Sequence, residues 1–551
     1  MIQSLERDYL MVPLDRNRRE IEDVPGAFFE YRKKMWLVPR RNVSDLIDII
    51  PEALNDAEIV GEVRRQEEFA QKVAEYKIAD HVDIDVPGLK LPLDDYQKVD
   101  LRLMLFLKRV LLAYQVGLGK TAASLAFALV LKERGVKNVL VLCPSSLKQT
   151  TWKDEIEKWT NESYIIVDGS RKQRELLWQT EAFFHVANYE LVLFNDLPEM
   201  QKQNWGIIIL DEATRIKSYK AKMTKIIKEN LKSDYALALS GTPLENNIEE
   251  LHSIVEYLDP LALGSQYSFA RILQGIRRNI ESEETKKETT RIKEKLALFM
   301  IRRLKKDVLP ELPPKTYENR YVELSIDQKN HYVSAVSDFT QWLISQGEDI
   351  RTNNALKKLT RLKQIADSLE LVGKTGRSTK LEELNQILSE IIPTGEKVII
   401  FTQYVKMAEL IQNSIKYEPA MLMGKMNAEK RRESIERFKT NPNINVFIST
   451  DAGAYGLNLQ IASYVIHVDY LWNPAKMIEQ REGRAHRRGN TIPVTVINLK
   501  AVGTIDEYIE TVLYKKLKLA EDIVDGSDEA LFRKLKLTKE DLLELVRTDK
   551  L

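Results

Sequence analysis

The chain reads as an α/β protein made of two parallel-sheet lobes, with a helical stretch between them and a small strand-rich module in front. Three observations predict this. Apolar runs of strand length alternate with helical patterns from Leu91 to about Pro260. The same alternation resumes from Val398 to Leu499. Between them, residues 261 to about 375 are strongly charged, helical in pattern and poor in β-branched runs. At 551 residues the chain exceeds what one hydrophobic core supports, so several domains are expected.

The elements follow in order. Met11-Val-Pro, Ala27 to Tyr31 and Met35 to Pro39 read as short strands, followed by a helix over Val43–Ile50. Ala57 to Ala79 is charged and amphipathic and reads as a connecting helix, which closes a module over residues 1–80. In the first lobe, residues 81–260, the expected strands are Val110–Ala113, Val139–Cys143, Tyr164–Val167, Phe184–Ala187, Ile207–Leu210 and Ala236–Leu239. The helical region covers 261–375. In the second lobe, 376–510, they are Val398–Thr402, Ala420–Gly424, Val446–Ser449, Tyr464–Asp469 and Val494–Leu499. A helical, mixed-charge tail is expected over 511–551.

Composition narrows the function classes. Hydrophobic residues make up 44% and charged residues 30%, as in ordinary globular chains. The net charge of +1 excludes a generally basic nucleic-acid coat, so any nucleic-acid binding must use local patches. The single cysteine, Cys143, rules out internal disulfides and cysteine-based zinc sites, and the six histidines show no ligand spacing. No run has the length of a membrane span, and Met1 to Arg7 lacks a signal-peptide pattern. A cytoplasmic, reducing setting is therefore expected, with no membrane partner.

The chemistry is carried first by Val110-Leu-Leu-Ala-Tyr-Gln-Val-Gly-Leu-Gly-Lys-Thr121. A strand, a Gly-rich turn, Lys-Thr and an apolar helix are what a phosphate-binding loop requires. The glycines let backbone N–H groups close around a polyphosphate, and the helix N-terminus adds positive charge. Gly117, Leu118 and Gly119 would form the cradle. Lys120 would reach the β- and γ-phosphates, and Thr121 would hold Mg²⁺. Tyr114 stands where the strict pattern has glycine, so an ordinary structural turn is the competing reading.

Ile207-Ile-Ile-Leu-Asp-Glu212 supplies the second half: an apolar strand ending in two acids. Carboxylates at the carboxyl ends of parallel strands sit where α/β sheets bind ligands. Asp211 would hold Mg²⁺ with Thr121, and Glu212 would orient the attacking water. Acids opening a helix are the plainer alternative.

In the second lobe, Gln480-Arg-Glu-Gly-Arg-Ala-His-Arg-Arg-Gly-Asn490 places Arg484 and Arg487 three residues apart, on one face of a helix. Two guanidiniums there could clamp a γ-phosphate held by the other lobe. A solvated basic helix is the alternative.

At this point the chain resembles the Swi/Snf-type superfamily 2 DNA translocases, from about Leu91 to Ile509. Tyr96-Gln97 resembles the adenine-reading motif, and Leu142 to Trp152 the first nucleic-acid motif. Leu239-Ser-Gly-Thr-Pro-Leu-Glu-Asn246 resembles the motif that couples ATP to DNA. Phe299 to Val308, with Leu312-Pro-Pro-Lys315, is similar to a segment characteristic of this family rather than of helicases generally. Lys397 to Tyr404, Ser449 to Leu459 and Asp469 to Pro474 resemble the successive motifs of the second lobe. Departures occur at Tyr114-Gln115, where the family commonly has Asp-Glu, at Thr214 for His, and at Asn490 for Gln.

The resemblance implies two RecA-like lobes, ATP and Mg²⁺ as cofactors, and a DNA-stimulated ATPase. Gln97 would read adenine. Lys120, Asp211, Glu212, Gln480, Arg484 and Arg487 would carry catalysis. Double-stranded or branched DNA would be held mainly by its backbone, through Lys148, Thr242, Arg361 and Trp472. The implied activity is translocation by a monomer that remodels protein–DNA complexes or junctions, with a strand-separating DNA or RNA helicase as the alternative. The basic helix Lys357 to Lys363 could equally be an exposed face. Phe28, Phe29 and Trp36 could stack on nucleic acid or form the core of the small module.

Overall fold

The computed structural model describes residues 9–12, 21, 24–31, 34–51, 55–79, 81–194, 196–218, 221–241, 248–264, 269, 283–309, 312–345, 352–424, 426–451, 459–470, 481–486, 492–509, 543 and 546.

The front module is a three-stranded antiparallel sheet of β1 (Tyr9–Val12), β2 (Phe28–Glu30) and β3 (Met35–Pro39), in the order β1-β3-β2. Its core gathers Leu10, Val12, Trp36, Val38, Val43, Leu46 and Ile59, and Trp36 is buried there. That places Trp36 in the core, whereas Phe28 and Tyr31 remain exposed. The helix Ala57–Lys77 follows, opened by Asp56, whose carboxylate accepts from Glu58 N at 2.8 Å. The module is fastened to the first lobe. Asn42 Nδ2 donates to Leu261 O at 2.7 Å, and the buried Asp45 carboxylate pairs with Arg291 and Lys295.

The first lobe holds β4 (Arg109–Tyr114), β5 (Val139–Cys143), β6 (Tyr164–Ile166), β7 (Phe184–Asn188), β8 (Ile207–Asp211), β9 (Tyr235–Leu239) and β10 (Met300–Arg303). They form one parallel sheet, in the order β10-β4-β9-β8-β5-β7-β6. Continuous apolar runs are what a sheet covered on both faces needs. The strand period then sorts each run into two cores. Leu111, Ala113, Ile208 and Leu210 face one side, and Val110, Leu112, Ile207 and Ile209 face the other.

The second lobe repeats the plan with β11 (Lys315–Val322), β12 (Val398–Thr402), β13 (Pro419–Leu422), β14 (Val446–Thr450), β15 (Tyr464–His467) and β16 (Val494–Ala501). The order is β11-β16-β15-β12-β14-β13, again with every pair parallel.

One expectation is corrected. The segment 261–375 is not helical throughout: it gives β10 to the first sheet and β11 to the second. Both are edge strands, and their sequences, Met-Ile-Arg-Arg and Lys-Thr-Tyr-Glu-Asn-Arg-Tyr-Val, are too polar to show the buried-strand signature. The chain therefore passes from lobe to lobe over residues 304–314. The tail over 511–551 lies almost wholly outside the described residues. Among the described residues no helix is long and apolar enough to cross a membrane.

Candidate nucleotide site and the turn of the second lobe

The Gly-rich turn leaves the carboxyl end of β4 and enters the helix Lys120–Glu133. Gly119 is the N-cap, in the left-handed region at φ 75°, and Gly117 lies at φ 93°. Both values favour glycine. A Cβ on Gly119 would also meet Gln97 Nε2 at 2.5 Å, so a side chain there would have to displace the Gln97 amide. Ala122 to Leu131 are all buried, so helix and strand form one rigid unit beneath the loop. Lys120 Nζ donates to Tyr114 O at 2.9 Å. Thr121 stands in the first turn, half-buried.

Strand β9 separates β4 from β8, so the Gly-rich loop and the acids emerge two strands apart, about 10 Å at ordinary strand spacing. Asp211 closes β8 and is only 7% exposed. Its Oδ2 accepts from Trp152 Nε1 at 2.9 Å and its Oδ1 from the Glu212 N–H at 2.9 Å. Burial raises its pKa, while the Trp152 hydrogen bond and the Lys120 charge pull it back down. A desolvated carboxylate and the Thr121 hydroxyl, opening from the same end of one sheet, are the oxygen ligands a hard divalent cation takes. Glu212 has φ 51°, a left-handed conformation that is strained for a residue with a Cβ and typical of functional sites. It turns the chain sharply at the strand end, away from the line of β8.

Two expected site residues are buried and bonded within the lobe. Gln97 is fully buried, and both ends of its amide are committed within the protein. Nε2 donates to Leu118 O at 3.2 Å and Oε1 accepts from Asp94 N at 3.0 Å. Tyr96 OH donates to the same Leu118 O at 2.8 Å. Gln97 thereby braces the loop through Leu118 O. Lys148 is 2% exposed, and its ammonium is spent on Val167 O at 3.0 Å, Asn188 Oδ1 at 3.2 Å and Asp168 at 3.3 Å. A cation held inside the lobe is not a surface phosphate contact. Lys363 of the supposed basic face is likewise buried and donates to Tyr470 O, while Arg361 is exposed. Thr242, Trp472, Gln480 and Arg487 lie outside the described residues.

Within the described part of the second-lobe motif, Glu482–Arg484 is a 3₁₀ turn, and the rest of the expected helix, Arg487 included, lies outside the described residues. Arg484 is 3% exposed. The neighbouring Arg481, missed at the sequence level, is fully buried. It donates to Asp451 Oδ1 at 2.7 Å, Asp469 O at 2.7 Å and Asp469 Oδ1 at 3.1 Å. Glu482 accepts from Lys315 Nζ at 2.6 Å and Tyr317 OH at 2.8 Å. Its carboxyl is held low: burial alone would raise it, but His467 and Lys315 outweigh that. The turn is thereby pinned to the edge strand β11. Trp152 was also missed as a partner of Asp211, because the two are 59 residues apart and nothing in the spacing connects them.

A sheet of this order, a phosphate-type loop after β4 and paired acids after β8 define the nucleotide-binding lobe of a helicase-like ATPase. The comparisons agree. The SNF2-related domain matches residues 96–371, and the helicase conserved C-terminal domain matches residues 379–489. The chain belongs to the SNF2-related family of helicase-like ATPases. A putative ATP-dependent helicase/translocase, YwqA of Bacillus subtilis (strain 168), is 31% identical over 88% of this chain and 54% of its own length. The SWI/SNF-related matrix-associated actin-dependent regulator of chromatin subfamily A member 1 of Mus musculus is 30% identical over 83% of this chain and 46% of its own. The chain thus spans about half the length of these curated relatives. Among solved structures, the Sulfolobus solfataricus SWI2/SNF2 ATPase core in complex with dsDNA is 29% identical. The alignment covers 85% of this chain and 99% of that one, with a TM-score of 0.41.

Proposed function

We propose that this chain hydrolyses ATP with Mg²⁺ to move along double-stranded DNA, and so remodels protein–DNA complexes or DNA junctions. The observation that carries the reading is the Gly117–Thr121 loop and the Asp211-Glu212 pair, which open from the same end of one parallel sheet. The loop glycines present backbone N–H groups to the phosphates, Lys120 neutralises their charge, and Thr121 and Asp211 hold the cation. Bound Mg²⁺ supplies charge stabilisation at the transferring phosphoryl group. Glu212, left half-exposed at its sharp turn, orients the attacking water. Arg484 and Arg487, with Gln480, complete the site from the second lobe and stabilise charge in the transition state.

The DNA half of the reading rests on family kinship and on relatives named as a translocase and as a chromatin regulator. Arg361, on the exposed face of the helix Thr352–Asp367, is the described candidate contact that faces solvent. Backbone contacts of this kind carry no sequence information and weaken steeply with salt.

The test is ATPase rate with no nucleic acid, single-stranded DNA, duplex DNA, branched DNA and RNA, with Lys120→Ala and Glu212→Gln as blanks. Duplex stimulation that both substitutions abolish, with DNA binding retained, is the expected result. Stimulation only by single strands or RNA, accompanied by strand displacement, would replace translocation with unwinding. Full hydrolysis by either variant would sink the active-site assignment.

A further inference from the structure

Tyr114 and Gln115 stand where the family pattern commonly carries two acids, and the structure gives both a task. Tyr114 is fully buried, and its hydroxyl donates to Asp100 Oδ2 at 2.7 Å. Asp100, also fully buried, accepts both arms of Arg303, Nε at 2.9 Å and a terminal nitrogen at 2.7 Å. A buried carboxylate satisfied by three donors holds its partners in one arrangement. Arg303 is the last residue of β10, and its carbonyl accepts from the Gln115 N–H at 2.9 Å. The Gln115 side chain then reaches across: its Oε1 accepts from the Lys305 N–H at 2.8 Å, at the start of the lobe-to-lobe connection. Lys305 Nζ donates to His486 O in the second-lobe turn at 2.5 Å. His486 Nε2 in turn lies 2.7 Å from Pro313 O, at the far end of the same connection. On the other side, the Tyr114 carbonyl is the acceptor of Lys120 Nζ.

These bonds form an unbroken path from the phosphate-loop lysine to the turn that carries Arg484. The path skirts a cavity of about 290 Å³ lined by Gln115, Val116, Lys305, Pro313, Gly483 and His486. The pocket lies where the connection meets the second-lobe turn. Phosphate bound in the proposed site would draw Lys120 away from Tyr114 O, and the first link would then change with nucleotide state.

We propose that Gln115 and Lys305 are positioning residues: a polar relay that transmits the state of the phosphate loop to the second-lobe arginine turn. The proposal rests on the ATPase reading above. A two-state element biased from both ends is what such coupling requires. Gln115 touches neither reacting atoms nor, through its side chain, the loop glycines; it acts through Lys305.

The test combines Gln115→Ala, Gln115→Glu and Lys305→Met, the last of which keeps the backbone N–H and removes the ammonium. Each protein also carries Lys172→Cys and Lys439→Cys, exposed sites on the two lobes, for a donor and acceptor dye. The native Cys143 is buried, with its thiol pKa pushed well up by desolvation, so it is spared labelling. The readouts are kcat and KM for ATP with duplex DNA, and the change in dye transfer when ATP and Mg²⁺ are added. Melting temperature serves as the fold control.

Gln115→Ala and Lys305→Met should each lower kcat about 10-fold with KM within about twofold, and should halve the transfer change or more. Because the two lie in one path, the double variant should fall about 10-fold rather than about 100-fold. Gln115→Glu keeps an acceptor oxygen and should restore most of the rate. If the variants match the parent, if their losses multiply, or if they act only through the melting temperature, the relay is wrong and the ATPase reading stands. A parent that neither hydrolyses ATP nor changes its dye transfer removes the ATPase reading and the relay together.

Discussion

Lys380→Met should unfold the second lobe far more easily, and more so in alkali than in mild acid. Lys380 Nζ donates to Asp367 Oδ1 at 2.7 Å, Asp506 Oδ2 at 2.6 Å and Val468 O at 2.8 Å, with all three side chains out of solvent. Methionine fills most of the stem and removes the charge, leaving two buried carboxylates unbalanced. Breaking a buried ion pair from one side costs about 3–5 kcal/mol. At a urea slope of about 2 kcal/mol per molar, the midpoint of the lobe falls by roughly 2 M.

The pH dependence gives the sharper check. Burial raises the Asp367 carboxyl to about 7, with Lys380 opposing and Asp469 and Asp506 reinforcing the rise. An acid whose folded pKa lies above its unfolded value contributes stability below the unfolded value, and loses it as pH rises towards the folded one. In the parent that loss ends near pH 7. Without Lys380 the folded pKa climbs further, and the loss continues from pH 7 to 8.5. That adds about 2 kcal/mol over those 1.5 pH units. Urea denaturation of parent and variant at pH 6.0 and 8.5, followed by a probe in the second lobe, measures both terms. A loss under about 1 kcal/mol, or one equal at the two pH values, would refute the reasoning.

Three further outcomes are expected. Trp152→Phe keeps the packing but takes the Nε1–H donor from buried Asp211, a charge-assisted bond of about 1.5–3 kcal/mol. The Mg²⁺ concentration for half-maximal ATPase should change at least several-fold, with a melting loss no larger than the missing bond accounts for, and an unchanged Mg²⁺ dependence would show that the bond does not tune the site. Gln97→Ala should weaken ATP and GTP to the same degree, because Gln97 braces Leu118 O rather than a base; competition binding that shows selective loss of ATP would return it to adenine reading. His467 and His486 are both held neutral, first by burial, and His486 falls to about 4. Such groups leave stability intact above their unfolded pKa and remove it as pH falls through the folded one. Between about pH 6.5 and 4 this loss opposes the gain from Asp367, and His486→Gln should remove it, so the variant gains stability relative to the parent as pH falls through that range of a thermal-melt profile.

The sequence by itself determined the two parallel sheets. Runs such as Ile207-Ile-Ile-Leu and Val398-Ile-Ile-Phe are short and β-branched, which suits a strand buried on both faces, and each is found as one. It also placed the Gly117–Thr121 loop and Asp211-Glu212, since local backbone and strand-end chemistry suffice to recognise them. The tertiary structure decided what depends on distant partners or on edges. Strands β10 and β11 are edge strands with polar sequences, so no apolar signal announced them. Lys148 and Lys363 looked like surface cations because lysine usually is one; only packing shows their ammonium groups turned inward onto carbonyls. Trp152 on Asp211, Arg481 on Asp451 and Asp469, and Tyr114 on Asp100 join residues far apart in the chain or on separate elements. A hydrogen bond across such separations leaves no periodicity in sequence, because its geometry exists only once the sheets and their covering helices have closed around it.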